Sequence, residues 1–307
     1  MNPARAIALK LASVALFVAM SALIKATRVH VPPGEAVFFR SFFAIPVIVV
    51  WLVWQRQLSV GLRTRNPLGH FWRGLVGSTA MCLMFAGLGL LPLPEVTAIG
   101  YAAPILVVVF AAMFLGERVR LFRLAAVGLG LTGVLIVLSP RLSAFGSGEM
   151  DPREALGAVV VLAGATCAAL AQVFVRKLVQ SEHTAAIVFW FSVTASVLSL
   201  LTLPFGWVVP GPGEAAMLVA AGLLGGLAQI CLTSAYRYAQ AAMVAPFDYA
   251  SMLFALAIGY FVFSEVPTPT MLGGAALVIA AGVLIIWRER QLGIERGKAR
   301  PGMTPQG

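Results

Sequence analysis

The sequence predicts an all-α membrane protein of ten transmembrane helices, arranged as two inverted five-helix repeats around a central cavity. Three observations lead to this prediction: an apolar composition, an internal repeat and a skewed distribution of basic residues. Sixty per cent of the 307 residues are hydrophobic, 11% are charged, and the mean hydropathy is +0.93. Soluble domains have roughly 45–50% apolar and about 25% charged residues. The chain is therefore expected to lie in a lipid bilayer.

Ten apolar stretches are long enough to cross a hydrocarbon core about 30 Å thick, which takes about 20 helical residues. They lie at residues 6–24, 36–54, 71–91, 94–115, 121–139, 156–175, 185–205, 214–235, 241–263 and 270–287. The first resembles a signal peptide because Arg5 and Lys10 precede its apolar part. It has no clear small-x-small cleavage site before Lys25, so it is predicted to stay as span 1.

Two segments repeat one pattern: an apolar helix with a tyrosine, then a glutamate, then a Gly-rich apolar helix. Tyr101 precedes Glu117 by sixteen residues, and Tyr249 precedes Glu265 by the same number. Basic residues follow Glu117 closely, whereas none follows Glu265 until Arg288. Because Arg and Lys beside spans are retained in the cytoplasm, the two copies are predicted to have opposite orientations. Inverted repeats are typical of secondary transporters.

The basic residues also predict that both termini lie in the cytoplasm. With the N-terminus inside, 17 of the 22 Lys and Arg residues fall on the cytoplasmic side. The predicted units are a first repeat at 1–145 (spans 1–5), a linker at 146–155, a second, inverted repeat at 156–289 (spans 6–10) and a basic cytoplasmic tail at 290–307. The tail is suited to contact with lipid headgroups.

Three motifs carry a family resemblance. They are Pro33-Gly34-Glu35 followed by Phe38-Phe39-Arg40, Leu115-Gly116-Glu117-Arg118, and Ala245-Pro246-Phe247-Asp248-Tyr249 running to Phe263-Ser264-Glu265. Together with the repeat, they resemble ten-span members of the drug/metabolite transporter superfamily built from two EamA-type repeats. The resemblance covers residues 1 to about 290 and implies a ten-helix basket with alternating access. It implies substrates such as amino acids, purines, vitamins, S-adenosylmethionine or toxic cations, with aromatic amino acid and viologen exporters as the lead analogue.

The predicted substrate-binding residues are Tyr101, Asp248, Tyr249, Gln172, Trp190 and Arg40. Asp248 alone among twelve acidic residues lies within an apolar run. A carboxylate there costs about 2.5–3.5 kcal/mol by insertion scales, which makes it a functional candidate. Inverted symmetry would place Asp248 and Tyr101 on opposite sides of the midplane of one cavity. Two interpretations of Asp248 stay open: a cavity residue, with proton coupling as a further role, or a cap for a helix starting near Pro246.

The other candidates also have structural alternatives. Arg40 either binds a substrate carboxylate through its planar guanidinium or pairs with Glu35 as an anchor near the membrane surface. Gln172, Trp190 and Tyr249 lie inside predicted spans, where each either lines the cavity or packs against neighbouring helices.

Three more charged residues are assigned structural tasks. Lys25, at the end of span 1, is predicted to snorkel towards the membrane surface. Glu117 and Glu265, at the exits of spans 4 and 9, are each predicted to cap the Gly-rich helix that follows.

No cofactor, metal or nucleic-acid partner is predicted. The stretch Gly128-Leu129-Gly130-Leu131-Thr132-Gly133 matches GxGxxG, but it lies in an apolar span and indicates helix packing. His30, His70 and His183 are assigned to connections, and Cys82, Cys167 and Cys231 are isolated. The +10 net charge is spread over short connections and the tail rather than one face.

The sequence therefore predicts a secondary active or exchange transporter, not an enzyme, that moves a small metabolite across the bacterial inner membrane. Few intramembrane charges imply a mostly apolar cavity, which favours a neutral, zwitterionic or flat aromatic solute over a multiply charged one. The resemblance to exporters favours export of an amino acid or a flat aromatic solute. A vitamin or nucleobase importer of the same fold is one alternative. A membrane-embedded lipid-modifying enzyme is the other, and it would need clustered His, Asp or Ser at one interface.

Overall fold

The computed structural model describes residues 3–115, 125, 127–137, 139, 152–178, 181–238 and 245–298. Every regular element in these ranges is a helix. Five helices are long and apolar enough to cross a membrane, and five further apolar helices of 10–17 residues lie within the same ranges. The predicted all-α membrane fold is confirmed, whereas the count of ten spans and their inverted arrangement remain predictions.

The helices are, in chain order, α1 (Pro3–Thr27), α2 (Pro33–Phe42), α3 (Ala44–Trp54), α4 (Leu58–Leu62), α5 (Pro67–Leu88), α6 (Leu93–Gly100), α7 (Ala102–Leu115), α8 (Val127–Val137), α9 (Pro152–Leu178), α10 (Thr184–Leu200), α11 (Pro212–Tyr238), α12 (Ala250–Phe263) and α13 (Pro269–Lys298). Short 3-10 helices occupy Leu203–Phe205 and Ala245–Tyr249. Proline opens six of these α-helices, because its fixed φ and missing N–H suit the first helical turn.

Some predicted features fall wholly or partly outside the described residues. Glu117 and its proposed cap lie outside them, as do residues 146–151 of the linker and 299–307 of the tail. Within the described part, α9 begins at Pro152, inside the predicted linker, and α13 continues to Lys298, inside the predicted tail.

Two of the apolar helical runs are interrupted at the repeat tyrosines. Tyr101 separates α6 from α7, and Tyr249 ends the 3-10 helix that leads into α12. Interrupted helices free backbone groups from the regular hydrogen-bond pattern, and in transporters they commonly form the binding site. The interruptions therefore mark the region where a site is expected.

Helix packing is reciprocal between the two parts of the chain. α1 packs most extensively along α11, and α9 packs along α5. α7 also contacts α9, as α12 contacts α1. If span n corresponds to span n+5, each of these contacts has a counterpart, which is what a two-fold relation would produce.

The predicted packing role of the GxGxxG stretch agrees with the backbone contacts of α8. A Cβ added to Gly133 would lie 2.8 Å from the carbonyl oxygen of Gly274, and one added to Gly274 would lie 2.7 Å from that of Gly133. The two glycines therefore allow α8 and α13 to touch backbone to backbone.

Candidate substrate-binding site

A cavity of about 680 Å³ lies among α1, α5, α6, α7, α9 and the 3-10 helix Ala245–Tyr249. Its polar side chains are Lys10, Ser21, Thr97, Tyr101, Gln172, Asp248, Tyr249 and Ser251. The rest of the lining is largely apolar, with Phe17, Met84 and Phe85 among its members. Ligand sites are typically about 300–1,000 Å³ and mostly apolar with a few polar groups, so this cavity suits a small metabolite.

The two repeat tyrosines meet on the cavity wall. The ring centroids of Tyr101 and Tyr249 are 5.2 Å apart, with an interplanar angle of 66°. The hydroxyl of Ser251 donates to the carbonyl oxygen of Asp248 at 2.7 Å and accepts from the Tyr101 hydroxyl at 2.6 Å. Gly282 makes room for the second ring, since a Cβ there would overlap the Tyr249 hydroxyl. The 3-10 segment is thus tied to the first interruption.

Asp248 forms an ion pair with Lys10. The Lys10 Nζ is 2.6 Å from Asp248 Oδ1; the lysine side chain is 2% exposed and the aspartate side chain 50% exposed towards the cavity. The interpretation of Asp248 as a helix cap is not supported, because the N-cap position of α12 is Tyr249, without a side-chain cap bond. The carboxylate is instead held by a cation from α1.

Lys10 is a functional candidate that the sequence reasoning missed. The positive-inside count places it on the cytoplasmic side, but it lies within α1 and is buried. A signal is present in the sequence, because Lys10 falls inside the predicted span 6–24 and a cation in a span normally has a partner. The same rule that singles out Asp248 would have found it.

A second cavity of about 410 Å³ lies beside the first. Phe17, Met84, Ala168 and Gln172 line both cavities. Arg73 and Phe191 line the second cavity and not the first. The two spaces are therefore neighbours that share one wall.

Arg40 and Trp190 are not among the described residues that line the first cavity, and their contact with substrate stays a prediction. Arg40 is 6% exposed, and its guanidinium carbon lies 5.9 Å from the ring centroid of Phe191. Glu35 does not pair with it; Glu35 Oε2 accepts a hydrogen bond from the Val208 N–H at 3.1 Å. Trp190 packs beside Phe189 on α10. Both side chains lie where α2, α5 and α10 pack together.

Lys25 and Glu265 form the second ion pair that involves α1. Lys25 Nζ is 2.8 Å from Glu265 Oε1 and donates to the carbonyl oxygens of Leu88 and Leu91 at 3.2 and 2.7 Å. The predicted snorkelling of Lys25 is therefore wrong, because its ammonium is satisfied inside the protein. Glu265 Oε2 accepts from the Leu93 N–H at 2.8 Å, so Glu265 caps α6 and not the helix that follows it.

Glu182 stabilises the entry into α5. It accepts hydrogen bonds from the Arg65 and Asn66 N–H groups and from the Thr64 hydroxyl, at 2.6, 2.7 and 3.0 Å. Burial acts to raise the pKa of Glu182, but these hydrogen bonds outweigh it and hold that pKa below its ordinary value. His70, assigned to a connection from the sequence, is instead buried in the first turn of α5, 3.9 Å from Glu182 Oε2.

A bundle of apolar helices with an internal cavity, and with helices interrupted at the cavity wall, is the arrangement of a membrane transporter. The EamA-like transporter family matches residues 4–139 and 155–287, and this chain belongs to that family. A second family, solute carrier family 35, matches residues 96–206.

Relatives of known name are small-molecule transporters. The pseudopaline exporter CntI of Pseudomonas aeruginosa UCBPP-PA14 is 32% identical, covering 88% of this chain and 89% of the relative. The S-adenosylmethionine uptake transporter of Rickettsia bellii is 28% identical over 86% and 87% of the two chains. The riboflavin transporter of Rhizobium johnstonii is 30% identical over 84% and 82%.

A solved crystal structure matches with a TM-score of 0.66 and 22% identity, covering 95% of this chain and 99% of the other, and it supports the fold alone. Family membership makes the chain a multi-pass membrane transporter and not an enzyme. The named relatives differ in substrate and in direction, and they do not confirm the aromatic-exporter analogue.

Proposed function

We propose that this protein exports an amino acid, or a metabolite with an amino-acid-like zwitterion and a flat aromatic part, across the inner membrane of a bacterium. Tyr101, Tyr249, Asp248 and Gln172 would contact the substrate in the first cavity. The observation that carries the proposal is the presence of an ion pair and an aromatic pair on one cavity wall. A zwitterion with an apolar side chain needs both kinds of contact.

The ion pair offers a zwitterion an exchange of partners. A substrate ammonium would take the place of Lys10 beside Asp248, and the substrate carboxylate would take the place of Asp248 beside Lys10. Because each charge keeps a partner, the exchange avoids the cost of leaving one buried charge alone. Substrate binding can thus proceed without a net loss of ion pairs.

Alternating access would use two inverted halves, residues 1–145 and 156–289, joined by the linker 146–155, with both termini and the basic tail 290–307 in the cytoplasm. The reciprocal packing of α1 with α11 and of α9 with α5 supports this division. The helix interruptions at Tyr101 and Tyr249 would act as hinges, because the two rings are in contact and line the same cavity. A reporter fused after Arg290 should then be cytoplasmic.

Proton coupling through Asp248 is part of the proposal. A proton on this carboxyl would remove its ion pair with Lys10, whose side chain is buried. That change would alter the balance between the two access states. Asp248→Asn should then abolish the response to a pH gradient while substrate exchange, which needs no net proton movement, stays measurable.

The test is counterflow in proteoliposomes against amino acids, nucleobases, vitamins and quaternary cations. Tyr101→Ala and Asp248→Asn should reduce uptake of the transported solute while the protein stays folded. Tyr260→Ala is the matched control, because Tyr260 is 56% exposed on the outer surface of α12. Normal transport by Tyr101→Ala and Asp248→Asn, or equal loss in Tyr260→Ala, would contradict the assignment.

Import of a vitamin or nucleobase is the second candidate, favoured by the names of the S-adenosylmethionine and riboflavin relatives. A preference for riboflavin or a nucleobase over every amino acid in the counterflow panel would select it. Accumulation of the solute in right-side-out vesicles, rather than inside-out ones, would establish import.

A further inference from the structure

Two arginines from different helices surround one phenylalanine ring beside the second cavity. The guanidinium carbon of Arg73, on α5, lies 3.9 Å from the ring centroid of Phe191, on α10. That of Arg40, on α2, lies 5.9 Å from the same centroid. Arg73 and Phe191 line the second cavity. Two positive charges are thus concentrated at one side of a space next to the transport cavity.

Within the described ranges, these arginines lack hydrogen-bonding and carboxylate partners. The Nε and Nη1 atoms of Arg73 and the Nε atom of Arg40 are buried without an acceptor. No carboxylate in the described part of the chain lies within ion-pair distance of either guanidinium. Buried arginine donors are normally satisfied, and contact with an aromatic face compensates for only part of what is lost. The cluster therefore has no anion among the residues that the structure describes.

Glu182 is the carboxylate on the connection before α10, and its oxygens already have other partners. One of its oxygens accepts three hydrogen bonds from residues 64–66, and the other lies 3.9 Å from His70 Nε2. It holds the start of α5 and is not an ion-pair partner of Arg73. A bound ligand is therefore the candidate source of the anion.

Gly77 gives the Arg73 guanidinium its space. A Cβ added at Gly77 would overlap Arg73 Nη1 and lie 2.8 Å from Phe191 Cε2. Residues four apart lie on one face of a helix, so a side chain at this position would displace the guanidinium directly. The packing of α5 thus accommodates the Arg73 guanidinium at a fixed position beside Phe191.

We propose that the second cavity is a carboxylate-binding subsite, in which Arg73 presents its planar fork, Phe191 fixes the plane of that fork and Arg40 adds positive potential. Planar oxyanions are the ligands that a guanidinium fork matches in two parallel hydrogen bonds. The subsite shares Gln172 and Met84 with the first cavity, so one elongated solute can occupy both. Resting on the proposed function, this narrows the substrate class to amino-acid-like metabolites with an additional carboxylate.

The experiment measures binding and not transport, using the full chain in phosphatidylcholine nanodiscs. Benzoate is the probe and benzamide is its neutral isostere. Benzoate should raise the melting temperature and benzamide should not. Arg73→Gln should weaken the benzoate response by about tenfold or more, and Arg73→Lys should give an intermediate loss because charge is kept without the fork. Arg63→Gln, at an exposed position, is the matched control and should change nothing.

A second readout separates a ligand site from a structural role. Without benzoate, Arg73→Gln should melt at the same temperature as the native protein or a higher one, because it removes a buried charge that has no counter-ion in the described part of the chain. Gly77→Ala keeps the charge but displaces the guanidinium, so it should also weaken benzoate binding. A large drop in melting temperature for Arg73→Gln with an unchanged benzoate response would overturn the proposal.

The remaining outcomes are also decisive. If phosphate or phosphatidylglycerol stabilises the protein through Arg73 and benzoate does not, the cluster is a phosphate or lipid-headgroup site and the proposal is wrong. If benzoate gives no stabilisation while counterflow of a zwitterion is normal, this inference fails and the proposed function stands. Arg73-dependent benzoate binding without transport of any panel solute would support the carboxylate subsite and contradict the proposed function.

Discussion

The two neighbouring cavities differ in how their charges are balanced. In the first, Lys10 and Asp248 neutralise each other at 2.6 Å. In the second, Arg73 lines the cavity and Arg40 lies beside the same Phe191 ring, and neither has a carboxylate partner in the described part of the chain. A balanced site can be stable when empty, whereas an unbalanced one gains most from a ligand of opposite charge. The contrast is consistent with both proposals: a first site whose ion pair exchanges partners with a substrate, and a second site that binds an anion.

The strongest test of this contrast removes one partner of the balanced pair. Lys10→Met should lower stability by about 3 kcal/mol, the low end of the range for breaking a buried pair, because Asp248 is half exposed to the cavity. Lys10→Met combined with Asp248→Asn should recover most of the loss. Melting temperatures of the native protein and of the two variants measure this. A double variant no better than Lys10→Met would show that charge balance is not what the pair provides.

Glu265→Gln should have the next largest effect, and the effect should be structural. The amide oxygen can still accept from the Leu93 N–H, but the ion pair with Lys25 is lost, which should cost about 1.5–3 kcal/mol. The amount and melting temperature of folded protein should fall, while the solute concentration that half-saturates transport stays unchanged. A folded variant of normal stability with a large affinity change would move Glu265 into the substrate site.

Gly282→Ala should act on the aromatic pair of the first cavity. Its methyl group would overlap the Tyr249 hydroxyl and push that ring from its contact with Tyr101. We expect transport affinity to fall several-fold, with a loss of about 1–3 kcal/mol in stability from overpacking. Gly273→Ala on the same helix is the control, since nothing lies within 4 Å of a Cβ there. Equal affinities for the solute in both variants would mean that the tyrosine pair does not contribute to substrate binding.

The smallest effect concerns pH and the connection before α5. Because the pKa of Glu182 is lowered in the folded state, its stabilising contribution is present above the unfolded pKa and is lost as pH falls through the folded pKa. Acidification from neutral pH to below about 4 should therefore lower the melting temperature of the native protein more than that of Glu182→Gln. Parallel curves for the two proteins would mean that Glu182 contributes nothing specific.

The features predictable from sequence were those set by local composition and by the repeat. Apolar length predicted the helices, and the matching spacing of Tyr101 and Tyr249 to their glutamates identified two positions that lie in contact. Asp248 stood out because a carboxylate within an apolar run is costly and rare. These signals depend on one residue and its neighbours along the chain.

What could not be predicted was which distant side chains would meet. Lys25 was expected to snorkel because the sequence does not reveal that Glu265 and the carbonyl groups of Leu88 and Leu91, at and just after the end of α5, lie within reach. Arg40 was expected to bind a substrate carboxylate or to pair with Glu35, and the packing of α2 against α10 places its guanidinium beside Phe191 and not Glu35. Partner choice follows from helix packing, which one sequence specifies only through many weak contacts.

The most direct measurement of the central claim is alkylation of a single cysteine at position 101, in a protein whose three native cysteines are replaced. A solute that is transported in counterflow should slow modification at this position, because the substrate is expected to lie against the Tyr101–Tyr249 pair. A cysteine replacing Tyr260 on the outer surface should react at the same rate with and without the solute. Transport without protection at position 101 would contradict the account and place substrate outside the first cavity.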